Sequence, residues 1–196
     1  MNVAVVESEL NNAFEQLADI GPAVSVFGSA RIANTDPLAK RAQQLGRRLS
    51  DNGFNVLTGA GPGIMQAVNQ GAFAGKSLSI GLNIELPKEQ EANPYLDKCI
   101  MFEHFFTRKV VLIKQAEVCV FFPGGFGTAD ELLEVLTLVQ TRKGRQVKLC
   151  LFGRDFWTPL IEWFGTLSSL GYINQTDLDL FHIVDTVDQL MDYIKE

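Results

Sequence analysis

The stretch FFTRKVVLIKQAEVCVFFPGGFGTADELLEVLT spans residues 105–137. It reads as a helix over 105–116, a buried strand over 118–122, a glycine-bearing turn, and a second helix over 128–141. A short apolar strand between helices is the unit of a mostly parallel sheet covered on both faces. The same alternation extends outward. Towards the start, strands are predicted at 23–27, 54–57, 77–82 and 98–102, with helices at 37–52 and 62–74. Leu38, Ala42, Leu45 and Leu49 form one apolar stripe on the 37–52 helix, and Pro62 suits a first-turn position. Residues 85–97 are polar with two prolines and read as a loop. Towards the end, a strand at 147–152 is followed by helices at 156–170 and 187–194, and residues 1–20 predict an extra helix ahead of the first strand. The chain carries no repeat, low-complexity tract or linker. All 196 residues therefore read as one α/β domain, doubly wound and Rossmann-like. In such sheets ligands bind beyond the carboxyl ends of the strands.

Composition narrows the function. At 46% hydrophobic and 20% charged, the chain has enough apolar surface for a real core and is not disordered. Seventeen Lys and Arg against 23 Asp and Glu leave a net charge of −6, which argues against nucleic acid as a partner but allows a local basic pocket for one small anion. The three cysteines, Cys99, Cys119 and Cys150, form no CxxC pair, and His104 and His182 lie far apart, so no zinc site of the usual spacing is present. The start has no basic flank leading into an apolar stretch, and no apolar run approaches the ~20 residues needed to span a bilayer. The expectation is a soluble cytoplasmic protein with no membrane partner. Cys119 and Cys150 fall in predicted core strands as small apolar filler. His104 reads as structural or surface, and Trp157 and Trp163 as packing residues.

Three glycine-bearing turns fall at strand ends: Gly28-Ser29-Ala30-Arg31, Gly59-Ala60-Gly61-Pro62-Gly63, and Pro123-Gly124-Gly125-Phe126-Gly127-Thr128. Each alone is explained by tight strand-to-helix packing. Three on one rim point to a phosphate-bearing ligand, because small residues admit it and helix-start N–H groups favour an anion. The first turn lacks GxGxxG and the second strand ends in Thr58 rather than an acid, which disfavours a dinucleotide. GAFAGKS at 71–77 is one residue short of a Walker A loop and runs from helix to strand, the wrong order.

Glu131 has two readings. Three residues after Thr128, it completes a T-x-x-E capping box. At the sheet rim beside a phosphate loop, its carboxylate instead orients water or stabilises a developing cation. Arg108 and Lys109 likewise read either as a solvated charged pair or as phosphate and leaving-group contacts.

PGGFGTADE, residues 123–131, resembles the PGGxGTxxE signature of the LOG ("Lonely Guy") family of cytokinin riboside 5′-monophosphate phosphoribohydrolases, many once labelled lysine decarboxylases. Arg108-Lys109 precedes it by the family's interval. The first loop, Gly28-Ser29-Ala30-Arg31, the second loop TGAGPGIMQAVNQGA at 58–72, and also GLNIELPKEQ at 81–90 and LTLVQT at 136–141 are similar, so the resemblance covers roughly residues 22–185. One departure is Ala60, where many members carry Gly, and its methyl group is expected to narrow the pocket slightly.

The resemblance implies hydrolysis of the N-glycosidic bond of a purine nucleoside 5′-monophosphate to free base and ribose 5-phosphate. It maps the catalytic pair to Arg108 and Glu131. It maps substrate contacts to Gly28, Ser29, Ala30, Gly61, Met65, Glu89, Lys109, Gly124, Gly125, Phe126, Gly127, Thr128 and Thr137, with Met65 beside the base. It also implies a homodimer. Chemically, a carboxylate at Glu131 stabilises the oxocarbenium-like sugar and activates water. The 5′-phosphate sits on the N–H groups of 124–128. Arg108 either aids departure of the base or holds the phosphate. No metal or redox cofactor is needed.

Three other readings compete. A pyridoxal decarboxylase lacks any local signature here, since neither His precedes a Lys. A carrier of a nucleotide or of the molybdenum cofactor needs the glycine turns but not the Arg108–Glu131 pair. A broader nucleosidase acting on AMP differs only in pocket walls.

Overall fold

The computed structural model describes residues 2–85 and 91–195. Its elements follow the predicted alternation: α1 (Val3–Gln16), β1 (Ala23–Phe27), α2 (Pro37–Asp51), β2 (Asn55–Thr58), α3 (Ile64–Phe73), β3 (Ser79–Ile84), β4 (Lys98–Phe102), α4 (Phe105–Gln115), β5 (Val118–Phe121), α5 (Phe126–Gln140), β6 (Lys148–Phe152), α6 (Arg154–Ser169), a 3-10 turn at Gln175–Asp179, β7 (His182–Val184) and α7 (Val187–Lys195). Local chemistry sets several boundaries. The Asp36 carboxylate caps α2 by accepting the Leu38 N–H at 2.7 Å, and Pro37 supplies a pre-set φ at the first helical position.

The strands form one seven-stranded sheet in the order β4-β3-β2-β1-β5-β6-β7, and every pairing is parallel. Alternation along the strands builds two cores. Val24, Val26, Val56, Val120 and Phe152 pack under α2, α3 and α7, while Ala23, Phe27, Leu57, Phe121 and Leu151 pack under α1, α4, α5 and α6. Phe27 stacks on Phe121 at 4.7 Å on one face, and Phe122 on Phe152 at 4.5 Å on the other. Cys119 and Cys150 lie within these layers, where burial pushes both thiols up to about 12, so they pack as small apolar groups.

The strand order reverses between β1 and β5, so the crevice for a ligand opens there, beyond the strand ends. Most elements shift by one or two residues from the sequence expectation, β3 and α6 among them, and three differences bear on how the chain is read. α3 begins at Ile64 behind Gly63, leaving Pro62 outside the helix. α5 begins at Phe126, two residues early. β7, an edge strand of three residues, was not predicted, being too short to show a period. Trp157 is buried and donates to the Phe152 carbonyl at 3.2 Å, as a packing residue does. Trp163 departs from that expectation: it is 48% exposed, on the wall of a surface groove beside Phe164.

Candidate functional site

The three glycine turns follow β2, β1 and β5, which are neighbours in the sheet. Backbone hydrogen bonds lock them together. The Ser29 N–H donates to the Pro123 carbonyl at 3.1 Å, and the Ile64 N–H donates to the Ser29 carbonyl at 3.0 Å. Gly63 has φ +68, and a Cβ there would collide with the Ser29 carbonyl oxygen, so glycine is required where these turns cross. Gly28, Ser29, Ala30, Gly61, Gly124, Gly125, Phe126, Gly127 and Thr128 therefore share one rim.

Gly61 is buried and its carbonyl accepts from Asn93 Nδ2 at 3.2 Å. Ala60 is fully buried at φ +61, held by Thr58 Oγ1 and by the Asn93 N–H on its carbonyl. Its methyl group packs against Gly81 of β3, not into the rim. The expectation that it narrows the pocket is corrected on that ground.

Gly125 is the N-cap of α5 and brings no capping side chain. Thr128 thus sits inside the helix, packed so closely on Gly124 that a Cβ on Gly124 would overlap its hydroxyl. This removes the capping-box reading of Glu131, because Thr128 is not the cap. Open space surrounds Gly125 and Gly127, and Phe126 is 97% exposed beside it.

Glu131, in the second turn of α5, turns towards α4. Arg108 Nη2 stands 3.7 Å from its Oε1, with only 11% and 15% of the two side chains exposed. Arg108 lies with its guanidinium 5.3 Å from the Phe105 ring centroid. A Cβ on Gly59 would lie 3.2 Å from Arg108 Nη1 and 3.0 Å from Met65 Sδ, so Gly59 and Met65 border the same pair. Burial pushes the Glu131 carboxyl up to about 7; Arg108 and Lys109 pull it down, and Asp130 and Glu134 push it further up. Burial also lowers Arg108, and Glu131 only partly offsets this. Arg108 Nε is buried without a hydrogen-bond partner among the described residues.

Lys109 is held differently. Its ammonium lies 2.9 Å from Asp130 and 2.5 Å from Glu134, one helical turn apart on α5. Burial would lower its pKa, but these two carboxylates raise it above the ordinary value. Thr137 lies apart from the pair. It is exposed, donates to the Leu133 carbonyl at 2.8 Å, and borders an apolar groove between α5 and α6 with Leu136, Trp163 and Phe181. Glu89 lies outside the described residues. Sequence reading gives Gly59 only as part of its turn and passes over Asp130, Glu134 and Phe105. The i, i+4 spacing of Asp130 and Glu134 was the available signal for a clamp on a neighbouring cation.

Among the described residues no group of three or more His, Cys, Asp or Glu could hold a metal ion, and no helix is long and apolar enough to cross a membrane.

A sequence profile of the family described as "possible lysine decarboxylase" matches residues 65–194. The chain belongs to this family, the LOG family. This LOG-family chain is 28% identical over 171 residues to a cytokinin riboside 5′-monophosphate phosphoribohydrolase of Mycobacterium marinum, covering 86% of this chain and 90% of that one. It is also 30% identical over 122 residues to a pyrimidine/purine nucleotide 5′-monophosphate nucleosidase of Escherichia coli K12, covering 57% of this chain but 27% of the relative. Its fold matches the molybdenum cofactor binding protein of Rippkaea orientalis with a TM-score of 0.66 at 23% identity, over 89% and 95% of the two chains. That last likeness concerns fold alone.

The family's older description implies pyridoxal phosphate, which needs a neutral lysine amine for its Schiff base. Lys109, the lysine beside the Arg108–Glu131 pair, is fixed as an ammonium by two carboxylates, so the residues here do not fit that group.

Proposed function

We propose that the protein hydrolyses the N-glycosidic bond of purine nucleoside 5′-monophosphates, releasing free base and ribose 5-phosphate, with N6-substituted, cytokinin-type purines as its substrates. One observation carries this reading. Glu131 is a largely buried carboxylate pushed up to about pKa 7, facing a largely buried guanidinium, beside the turn at the start of α5. A carrier of nucleotide or cofactor needs the turn; it has no need of the pair. The names of the Mycobacterium marinum and Escherichia coli relatives support the same chemistry.

In this reading the 5′-phosphate rests on the N–H groups at the start of α5. That places the sugar over the second turn, where Glu131 stabilises the oxocarbenium-like C1′ and takes a proton from the attacking water. Arg108, 3.7 Å from Glu131, then acts at the departing base rather than at the phosphate. Remote phosphate binding positions the sugar, so nucleosides lacking it react poorly.

The protein acts as a cytoplasmic homodimer. Support for the dimer comes from exposed apolar residues, among them Phe105, Phe126 and Leu133, and from the groove beside Thr137.

The test incubates purified protein with AMP and with isopentenyladenosine 5′-monophosphate, following base and ribose 5-phosphate by chromatography, with Glu131→Ala as control. Release from the prenylated substrate well above AMP supports the full proposal, and equal release reduces it to a general nucleosidase. No release from either, with nucleotide still bound, overturns it in favour of a carrier.

A further inference from the structure

The start of α4, the helix that carries Arg108, is held from outside itself. His104 occupies its N-cap position but gives it no side-chain cap. A carboxylate from the middle of α1 stands there instead. Glu9 Oε1 accepts the backbone N–H groups of Glu103 and His104, the latter at 3.3 Å. Glu9 Oε2 lies 2.8 Å from the Thr107 hydroxyl and 3.1 Å from His104 Nδ1. The Glu9 side chain is 9% exposed and Thr107 is fully buried.

An anion here opposes the positive end of the helix dipole, and bonding two consecutive N–H groups fixes the path of the chain into the helix. Burial would raise the Glu9 carboxyl, but the N–H groups and the Thr107 hydroxyl hold it below the ordinary carboxylate range, so it is ionised. Its base is firm. Ala13 and Leu17 anchor α1 and the residue after it in the core, and Lys98 Nζ donates to the Gln16 carbonyl at 2.8 Å.

Thr107 is the residue before Arg108. No side-chain hydrogen bond from another element fixes the Arg108 guanidinium among the described residues: the Phe105 ring beside it belongs to α4 itself, its contact with Glu131 is 3.7 Å, and its Nε has no partner. Its position therefore depends on where the backbone of α4 begins. We propose that Glu9 is a positioning residue of this site, tying the first turn of α4 to α1 and so setting Arg108 opposite Glu131. This rests on the hydrolase reading above. A misplacement of about 1 Å at a reacting centre can cost about 10²-fold in rate.

The test compares wild type with Glu9→Ala, Glu9→Gln and Phe14→Ala. Phe14 packs against the core from the same helix and controls for loosening of α1 as such. Each is assayed for kcat and KM on a purine nucleoside 5′-monophosphate, for thermal stability, and for amide exchange over residues 106–109. Glu9→Ala is expected to lower kcat about 10- to 100-fold with KM changed less than about threefold, and to speed exchange over 106–109. Glu9→Gln keeps an oxygen for the two N–H groups but loses the acceptor for Thr107, so its kcat falls between. Phe14→Ala loses stability yet keeps kcat. Wild-type kcat and exchange in Glu9→Ala would overturn the proposal, as would an equal loss of kcat in Phe14→Ala. If Glu9→Ala does not fold, Glu9→Gln and its exchange decide. Wild-type protein that releases no base refutes the hydrolase reading instead, and the tie between Glu9 and α4 is then judged on exchange alone.

Discussion

Arg108 and Lys109 are consecutive residues of α4, and both face carboxylates of α5, yet their pairings are opposite in kind. Lys109 makes two close contacts, 2.9 Å to Asp130 and 2.5 Å to Glu134. Its partners are 63% and 31% exposed and keep much of their hydration. The ammonium is more basic than usual, so this pairing favours its charged state. Arg108 has one looser contact with Glu131, and both groups are nearly buried. There the charged state is disfavoured on both sides: the carboxyl is raised and the guanidinium lowered, each chiefly by burial. One pairing satisfies its members and clamps two helices. The other leaves them under-satisfied, as a site does when a ligand is to complete it. Adjacent positions on one helix thus separate support from chemistry.

Activity should separate them most. Glu131→Gln and Arg108→Ala are each expected to lower base release from the preferred nucleotide about 10³-fold, the scale of a lost general base or of a lost charge-stabilising donor. Lys109→Ala should cost less than about tenfold. Steady-state release of base measures all three, and a Lys109 variant as inactive as the Arg108 variant would erase the distinction.

The pH profile comes next. Glu131 must be ionised to act, and its carboxyl titrates at about 7. The kcat/KM of the wild type should therefore rise about tenfold per pH unit below 7 and flatten above it. A profile already flat from pH 5 would mean that the carboxyl is not held up as its burial requires.

Stability carries the same signature with a smaller effect. A carboxyl raised from 4.5 to about 7 by folding binds its proton more tightly in the native state. Its contribution is most favourable below pH 4.5 and is lost as pH rises through about 7. Glu131→Gln is permanently neutral. It should be more stable than wild type at pH 8, on the order of 3 kcal/mol, and equal to it at pH 4. Denaturant melts at the two pH values measure this. Gain of stability with loss of activity in one substitution would mark Glu131 as held for function.

Much of this architecture is legible along the chain because its strands are short apolar runs between helices. Ala23–Phe27 and Lys98–Phe102 lie where periodicity puts them. β7 escapes because three residues at a sheet edge show no period. The sequence puts the start of α5 two residues late because Thr128 looks like a cap, whereas Gly125 serves as one only through its backbone. In the site, Arg108, Glu131 and the three turns could be singled out because their chemistry is written in local motifs. Glu9 could not, since it reaches Thr107 of α4 from 98 residues away in sequence. Nor could the place of Trp163, because an aromatic at helical spacing reads as core until the neighbouring elements are in place.

The smallest predicted effect is also the most specific to the contrast between the two pairs. The charge of Lys109 pulls the Glu131 carboxyl down while Asp130 and Glu134 push it up. Lys109→Met removes the first influence and leaves the other two unneutralised, so the Glu131 carboxyl should titrate higher than in the wild type. Asp130 is well exposed, and solvent screens its share of the effect. At pH 8 the variant should then turn over within about threefold of wild type, because most Glu131 is still ionised. At pH 6.5 the deficit should widen, and the acid limb of kcat/KM should move to higher pH without changing slope. Adding Asp130→Asn and Glu134→Gln to Lys109→Met should move the limb back down, since burial sets most of the rise but these two carboxylates add to it. A limb that stays put in all of these variants would show that the clamp and the Arg108–Glu131 pair are electrically independent, and that Lys109 does no more than hold α4 against α5.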